Sequence, residues 1–252
     1  MVSTTTSSLR VSIRMNREYH KWFSPSLGRE MELLVFGHAG TPLLVFPTSM
    51  GRFYDYEDRG MIRIISSRYE EGTVQAYCVD SVDQESWYNK SITTRQRVLR
   101  HLDYEAYLLR EALPFIRSRN ASSSPIATGC SFGGYHAVNF ALRHPDQVSG
   151  CVSMGGAFDI HQFLNGYYDD NCYFNCPPDF LPNLNDPWFL RLFGEFRKLV
   201  LATGERDICL YDNCFLSNIM NQKGIPHVLD VWGEGAGHDW LWWHQMAMKF
   251  FP

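Results

Sequence analysis

Short apolar runs alternate along the chain with longer amphipathic stretches. Runs at 31–36, 42–46, 74–79, 125–129, 148–154, 198–203 and 227–232 are of strand length, and most are apolar on both faces. Strands of that kind are buried on both sides and run mainly parallel. Between them, periods close to 3.6 predict helices over 56–66, 102–119, 134–144, 211–222 and 239–250. Strand followed by helix, repeated, predicts a doubly wound α/β sheet with helices on both faces.

Two regions break the rhythm. The first forty residues carry extended runs at 9–15 and 31–36 around a polar turn with Ser24, Pro25 and Gly28, which predicts an antiparallel edge on the sheet. Residues 165–187 are crowded with Asn, Asp, Pro and aromatics and have no clean period, so they read as a long ordered insertion beside an active site. No internal repeat or low-complexity linker divides the chain, and its 252 residues are expected to form a single α/β domain.

Composition narrows the class. With 45% apolar, 15% aromatic and 20% charged residues, disorder, collagen-like repeats and coiled coil are excluded. The net charge is −4 and the 23 basic residues are scattered, so no stripe exists to follow a phosphate backbone and nucleic acid is not an expected partner. No apolar run approaches the roughly 20 residues of a membrane span. The N-terminus lacks a basic start followed by an apolar block, and the seven cysteines form no disulfide framework, so the expected location is the cytoplasm. The pairs Cys172/Cys176 and Cys209/Cys214 make no matched zinc knuckle, and no metal is expected. Homo-oligomerisation is compatible with this composition.

The chemistry concentrates at Gly129-Cys130-Ser131-Phe132-Gly133-Gly134, a G-x-S-x-G pattern between an expected strand and an expected helix. A serine raised on so tight a turn needs small residues two positions away on either side, because the strand and helix backbones nearly touch there. The helix also points its positive dipole end toward a developing negative charge. Cys130 reads as a small buried hydrophobe. The same glycines would equally serve a βα turn that only packs a helix, so the reading requires further residues.

A serine hydroxyl is a weak nucleophile until a base takes its proton. Of nine histidines, His136 and His144 fall on the helix after the serine, His244 in the last helix and His161 after the strand at 148–154. His238 alone follows a late strand on a glycine-rich loop, Gly233-Glu234-Gly235-Ala236-Gly237-His238. Asp207, in Gly204-Glu205-Arg206-Asp207 after the strand at 198–203, is the first choice of acid; Asp159 stands next, with Glu205, Asp212 and Asp239 behind. The order Ser, Asp, His is the one this chemistry takes on an α/β sheet. An oxyanion site needs two N–H groups: Phe132 offers one, and the loop Pro47-Thr48-Ser49-Met50 the other, with Ser49 first and Thr48 or Met50 as alternatives, Pro47 having no N–H.

With these residues placed, the chain resembles the esterase group of the α/β-hydrolase superfamily that includes esterase D (S-formylglutathione hydrolase), enterochelin esterase and the antigen 85 mycolyltransferases. The likeness runs from about residue 31 to 251 and is carried by the Ser131 motif with Ala137 and His144-Pro145-Asp146, by Gly204-Glu205-Arg206-Asp207 and by Gly237-His238-Asp239-Trp240. It implies an α/β-hydrolase fold and a serine esterase with Ser131 as nucleophile, Asp207 as acid and His238 as base, acting on a small-molecule carboxylic ester or thioester without a cofactor. Pro47-Thr48 departs from the His-Gly that many hydrolases carry in the oxyanion loop. Trp87, Tyr167, Tyr168 and Trp240 are candidate pocket walls. Acyl transfer to an alcohol would use the same three residues, and a binding protein that kept the fold without turnover is the reading from a different class.

Overall fold

The computed structural model describes residues 15–121 and 124–252. Eight strands, β1 (Arg17–Ser24), β2 (Arg29–Phe36), β3 (Thr41–Phe46), β4 (Val74–Val79), β5 (Ile126–Cys130), β6 (Gly150–Met154), β7 (Lys198–Gly204) and β8 (Val228–Trp232), form one sheet ordered β1-β2-β4-β3-β5-β6-β7-β8. β2 pairs antiparallel with both β1 and β4, and every other pairing is parallel. The mostly parallel sheet with an antiparallel N-terminal edge is thus the architecture that the sequence pattern predicts.

Side chains alternate across a strand, and the two cores divide accordingly. Leu44, Phe46, Ala127, Cys151 and Leu201 face one cluster, while Leu43, Val45, Ile126, Val152 and Val200 face the other. The first side is covered by α4 (Thr94–Tyr107), α5 (Leu113–Arg119), α6 (Phe132–Arg143) and α10 (Leu210–Gln222), and the second by α1 (Asp55–Asp58), α2 (Met61–Ile64), α3 (Ser66–Glu70) and α11 (Trp240–Phe250). Both faces of the central strands are therefore dry, which is why they read as unbroken apolar runs.

Several boundaries differ from expectation. The expected strand at 9–15 falls, except for Met15, outside the described residues; the strand that pairs with β2 is β1, eight residues further on, joined to it by the turn through Gly28. The helix expected over 56–66 is three short pieces, α1 to α3: Gly60 takes φ +77° between α1 and α2, and Ile65 leaves helical geometry at φ −112° and ψ 23° between α2 and α3. The helix expected over 102–119 begins at α4, capped by Thr93 and Gln96 in a reciprocal pair, and passes through a π-helical turn, Leu108–Ala112, before Pro114 in α5. The stretch from 161 to 195, which contains the insertion, is built of short helices: the 3₁₀ turn His161–Phe163, α7 (Asp170–Phe174), α8 (Pro177–Phe180), the 3₁₀ turn Leu181–Asn183 and α9 (Pro187–Glu195). Among the described residues no helix is long and apolar enough to cross a membrane.

Candidate active site

Ser131 sits between β5 and α6 with φ 56° and ψ −124°, a conformation a β-carbon disfavours. Its neighbours explain how the turn closes. A β-carbon on Gly129 would lie 2.3 Å from the carbonyl carbon of Gly133, and one on Gly133 would lie 2.4 Å from the Pro47 carbonyl oxygen. Both contacts are with backbone, so neither position admits a side chain. The turn is held by the Ser131 N–H, which donates to the Met154 carbonyl at 2.9 Å, and by the Gly134 N–H, which donates to the Ser131 carbonyl at 2.9 Å.

The loops after β7 and β8 bring an acid and a base to the same rim. The Ser131 hydroxyl lies 2.8 Å from His238 Nε2, and His238 Nδ1 lies 2.7 Å from Asp207 Oδ1. A carboxylate only accepts, so the ring proton belongs on Nδ1 and Nε2 is left to accept from the hydroxyl. The Cys209 N–H donates to the same Asp207 oxygen at 2.8 Å, and the Asp207 side chain is fully buried. The two loops are tied together: the Arg206 N–H donates to the Ala236 carbonyl and the Gly235 N–H to Glu205 Oε1, at 2.9 and 2.7 Å. The Trp243 ring stands edge-on to the imidazole at 4.9 Å between centroids. Asp207 Oδ2 and Trp243 Nε1 are buried without a hydrogen-bond partner among the described residues, and both face the space above Gly155, where a β-carbon would lie 2.7 and 3.0 Å from them.

Around Ser131 opens a cavity of about 430 Å³, lined by Ser49, Tyr88, Phe132, Ala157, Asp159, Gln162, Ile208, Cys209, Asp212 and His238. The Phe132 N–H opens α6, where helical geometry gives it no intrahelical acceptor. Of the early loop, the Thr48 N–H donates to Asp55 Oδ2 at 2.9 Å and the Met50 N–H to Asp83 Oδ2 at 3.1 Å. The Ser49 N–H donates to no acceptor among the described residues, and its hydroxyl accepts from Tyr88 at 3.0 Å. Burial, before the charges of Asp207 and Asp212, pushes the Cys209 thiol up to about 12. Burial also raises Asp212, against the N–H groups of Asp159 and Phe158 that donate to it.

The other expected residues lie elsewhere. His136 pairs with Asp83 in the core, His144 with Glu105, His161 with Asp159, and His244 Nε2 donates to the Arg59 carbonyl. Asp159 lines the cavity but is half exposed and engaged by His161; Asp239 caps α11. None of Trp87, Tyr167, Tyr168 and Trp240 lines the cavity. Trp87 is buried against His101, Tyr135 and Phe163, leaving the wall to its neighbour Tyr88. Tyr168 stacks on His161, Tyr167 bonds Asp169, and Trp240 packs on Trp243 and Tyr56. The insertion instead walls a second cavity of about 500 Å³ at the far end of α6, where its Tyr173, Phe174 and Phe180 join Phe189 of α9 beside Leu142 and Arg143. Cys130 is fully buried beside the Tyr56 hydroxyl. All seven cysteines are free thiols. Among the described residues, two groups bring metal-type ligand atoms within 4.8 Å, Asp159/His161/Cys176 and Asp207/Cys209/His238; in each the histidine is already bonded to the carboxylate.

Comparison with known proteins agrees with the fold. Residues 88–219 match the model of the α/β hydrolase fold. The chain is 24% identical over 138 residues to an acetyl esterase of Caldicellulosiruptor saccharolyticus, a stretch covering 49% of this chain and 51% of that protein, so the match spans about half the relative's length. Among solved structures it superposes on a ferulic acid esterase with a TM-score of 0.74 at 16% identity, covering 94% of this chain and 96% of the other. An S-formylglutathione hydrolase from Agrobacterium tumefaciens gives 0.69 at 15%, over 94% and 95%.

Proposed function

Since the chain belongs to the α/β-hydrolase family, we propose that it is a serine esterase that cleaves a small carboxylic ester or thioester through an acyl-enzyme on Ser131. The observation that carries this reading is the unbroken chain of two hydrogen bonds, 2.7 and 2.8 Å, from Asp207 through His238 to the Ser131 hydroxyl. In the reaction Ser131 Oγ bonds to the substrate carbonyl carbon while its proton passes to His238 Nε2. Asp207 holds the ring and stabilises the imidazolium that forms. The carbonyl oxygen, now negative, takes hydrogen bonds from the N–H groups of Phe132 and Ser49. Collapse breaks the bond to the alcohol or thiol, which leaves with the proton from His238. Water then repeats the sequence on the acyl-enzyme and releases the acid.

The substrate class follows from the cavity. Its wall presents hydroxyls, an amide and the carboxylates of Asp159 and Asp212, with no Lys or Arg among the described residues that line it, which favours uncharged esters over anionic ones. The likeness to an acetyl esterase supports a short acyl group.

A fluorophosphonate probe tests the reading directly. Wild type takes the probe at Ser131, Ser131→Ala does not, and Ser131→Ala and His238→Ala each lose about 10⁴-fold or more in kcat on p-nitrophenyl acetate. Folded wild type that ignores both probe and ester would overturn it. Products formed with an alcohol present separate hydrolysis, which yields only free acid, from acyl transfer.

A further inference from the structure

The oxyanion loop is short, carries Met50 at φ 56°, and has no regular structure of its own to hold it. What fixes it is one turn bond of its own and a set of bonds from outside. Gly51 closes a turn onto the Thr48 carbonyl at 2.8 Å. Asp55 Oδ2 accepts from both the N–H and the hydroxyl of Thr48, each at 2.9 Å. From the loop after β4, the Ser81 hydroxyl donates to the Gly51 carbonyl at 2.8 Å and the Gln84 amide to the Met50 carbonyl at 3.2 Å. Asp83 lies between those two residues, and its Oδ2 accepts the Met50 N–H at 3.1 Å.

Asp83 differs from the other clasps in one respect. Its second oxygen, Oδ1, accepts from His136 Nε2 at 2.8 Å, and His136 lies on α6, the helix whose first residue is Phe132. One carboxylate therefore bonds at once to the element that presents the Phe132 N–H and to the peptide next to Ser49. The Asp83 and His136 side chains are 1% and 2% exposed. A carboxylate withdrawn from water so completely is costly unless its oxygens are bonded, and here both are.

We infer that Asp83 is a positioning residue of the oxyanion site: it joins the early loop to the Ser131 helix and takes up the Met50 N–H, so that Ser49 supplies the second donor. The inference rests on the serine esterase reading. Thr48 and Met50 cannot serve as that donor, because their N–H groups are already given to Asp55 and Asp83. Asp83 does not line the cavity and touches no reacting atom. Its effect is on the spacing of two N–H groups from an oxygen, and hydrogen bonds of that kind lose strength over fractions of an ångström and tens of degrees.

The experiment is steady-state kinetics on p-nitrophenyl acetate with active sites counted by fluorophosphonate titration, in wild type, Asp83→Ala, Asp83→Ser and Asp83→Asn, together with inhibition by phenylboronic acid. The boronate adduct on serine is tetrahedral and places an oxygen where the oxyanion would sit. In Asp83→Ala, kcat per titrated site falls about 10²-fold, the scale of losing one oxyanion donor, while KM stays within about threefold. The boronate inhibition constant weakens in parallel with kcat/KM. Asp83→Asn regains most of the loss, because its amide oxygen still accepts the Met50 N–H and its NH2 can donate to the other tautomer of His136. A purely structural role would lower the number of titrated sites and leave kcat per site unchanged, and that result overturns the inference; so does Asp83→Asn no better than Asp83→Ala. Should Asp83→Ala fail to fold, Asp83→Ser, too short to reach both partners, decides by the same measure. Wild type that takes neither probe nor ester defeats the esterase reading and this inference together, whereas active wild type with an unimpaired Asp83 variant defeats this inference alone.

Discussion

Gly155→Ala puts a methyl group into the space between the acid, the base and the Trp243 indole without altering any of them. Gly155 has φ +59°, and its new β-carbon would lie 2.7 Å from Asp207 Oδ2, 3.0 Å from Trp243 Nε1 and 3.2 Å from His238 Nδ1. Ordinary contact begins at 3.4 Å, so the carboxylate must retreat by about 0.7 Å. It has little room, since its other oxygen holds the Cys209 N–H and the imidazole, and the side chain is fully buried. A misplacement near 1 Å is worth about 10²-fold in rate, so kcat on p-nitrophenyl acetate should fall about 10- to 100-fold. The backbone cost of alanine in the left-handed region is about 1–2 kcal/mol, which at this size lowers Tm by about 2–8 °C. Gly28→Ala is the control: φ is +65° there too, but nothing lies within 4 Å of the added carbon. It should show a similar Tm loss with wild-type kcat. If Gly155→Ala matches Gly28→Ala in both Tm and kcat, the packed acid–base pair does not limit catalysis and the reasoning fails.

Two other perturbations separate further parts of the reading. Asp207→Asn should reduce kcat by about 10²–10⁴-fold, less than Ser131→Ala, because the nucleophile and the base both remain; full activity in that variant, with loss in Asp159→Asn, would transfer the acid role to Asp159. Glu111 accepts from Trp22 Nε1 at 2.9 Å, the Ser24 hydroxyl at 2.8 Å and the Ser26 N–H at 3.1 Å; burial alone would raise it, but the bonds from Ser26, Trp22 and Ser24 prevail and its carboxyl is held below the ordinary range. A depressed folded-state pKa stabilises above the unfolded value, near 4.3, and the gain is lost as pH falls through the folded value. Thermal melts should therefore show Glu111→Gln less stable than wild type at pH 7, with the gap closing below about pH 4; a gap independent of pH would contradict this.

The legible parts of the fold are those where one physical demand acts alone. β3 to β7 are covered on both faces, so nothing polar interrupts them, and their apolar runs locate them. β1 was harder because it alternates exposed Arg17, Tyr19, Lys21 and Phe23 with half-buried Glu18, His20 and Trp22, a pattern in which polar groups occupy both sets. α4 hides for a related reason: its buried face includes Thr94, Arg97, which bonds the Phe163 carbonyl, and His101, which bonds Asn175, so an apolar period does not mark its start. The Thr93-x-x-Gln96 cap was present in the chain as a start signal.

The same contrast governs the site. Ser131, Asp207 and His238 stand out in the sequence because each follows a strand on a glycine-bearing turn, and glycine there answers a backbone contact: a β-carbon on Gly204 would lie 2.1 Å from the Ala236 carbonyl oxygen, which is how the acid and base loops can touch. The cavity wall leaves no such mark. Trp87 and Tyr88 are adjacent and equally aromatic, yet one is core and the other lines the cavity, a difference set by which way the chain turns after β4. Aromatic density misleads for the opposite reason, since within 165–187 Tyr173 and Phe180 pack short helices against the far end of α6, while Tyr168 and Phe174 stay exposed. Asp83 shows the limit most clearly. It carries no motif, and its bonds reach back 33 residues to Met50 and forward 53 to His136, so its significance exists only once β3, β4 and β5 lie side by side and bring those three segments to one rim.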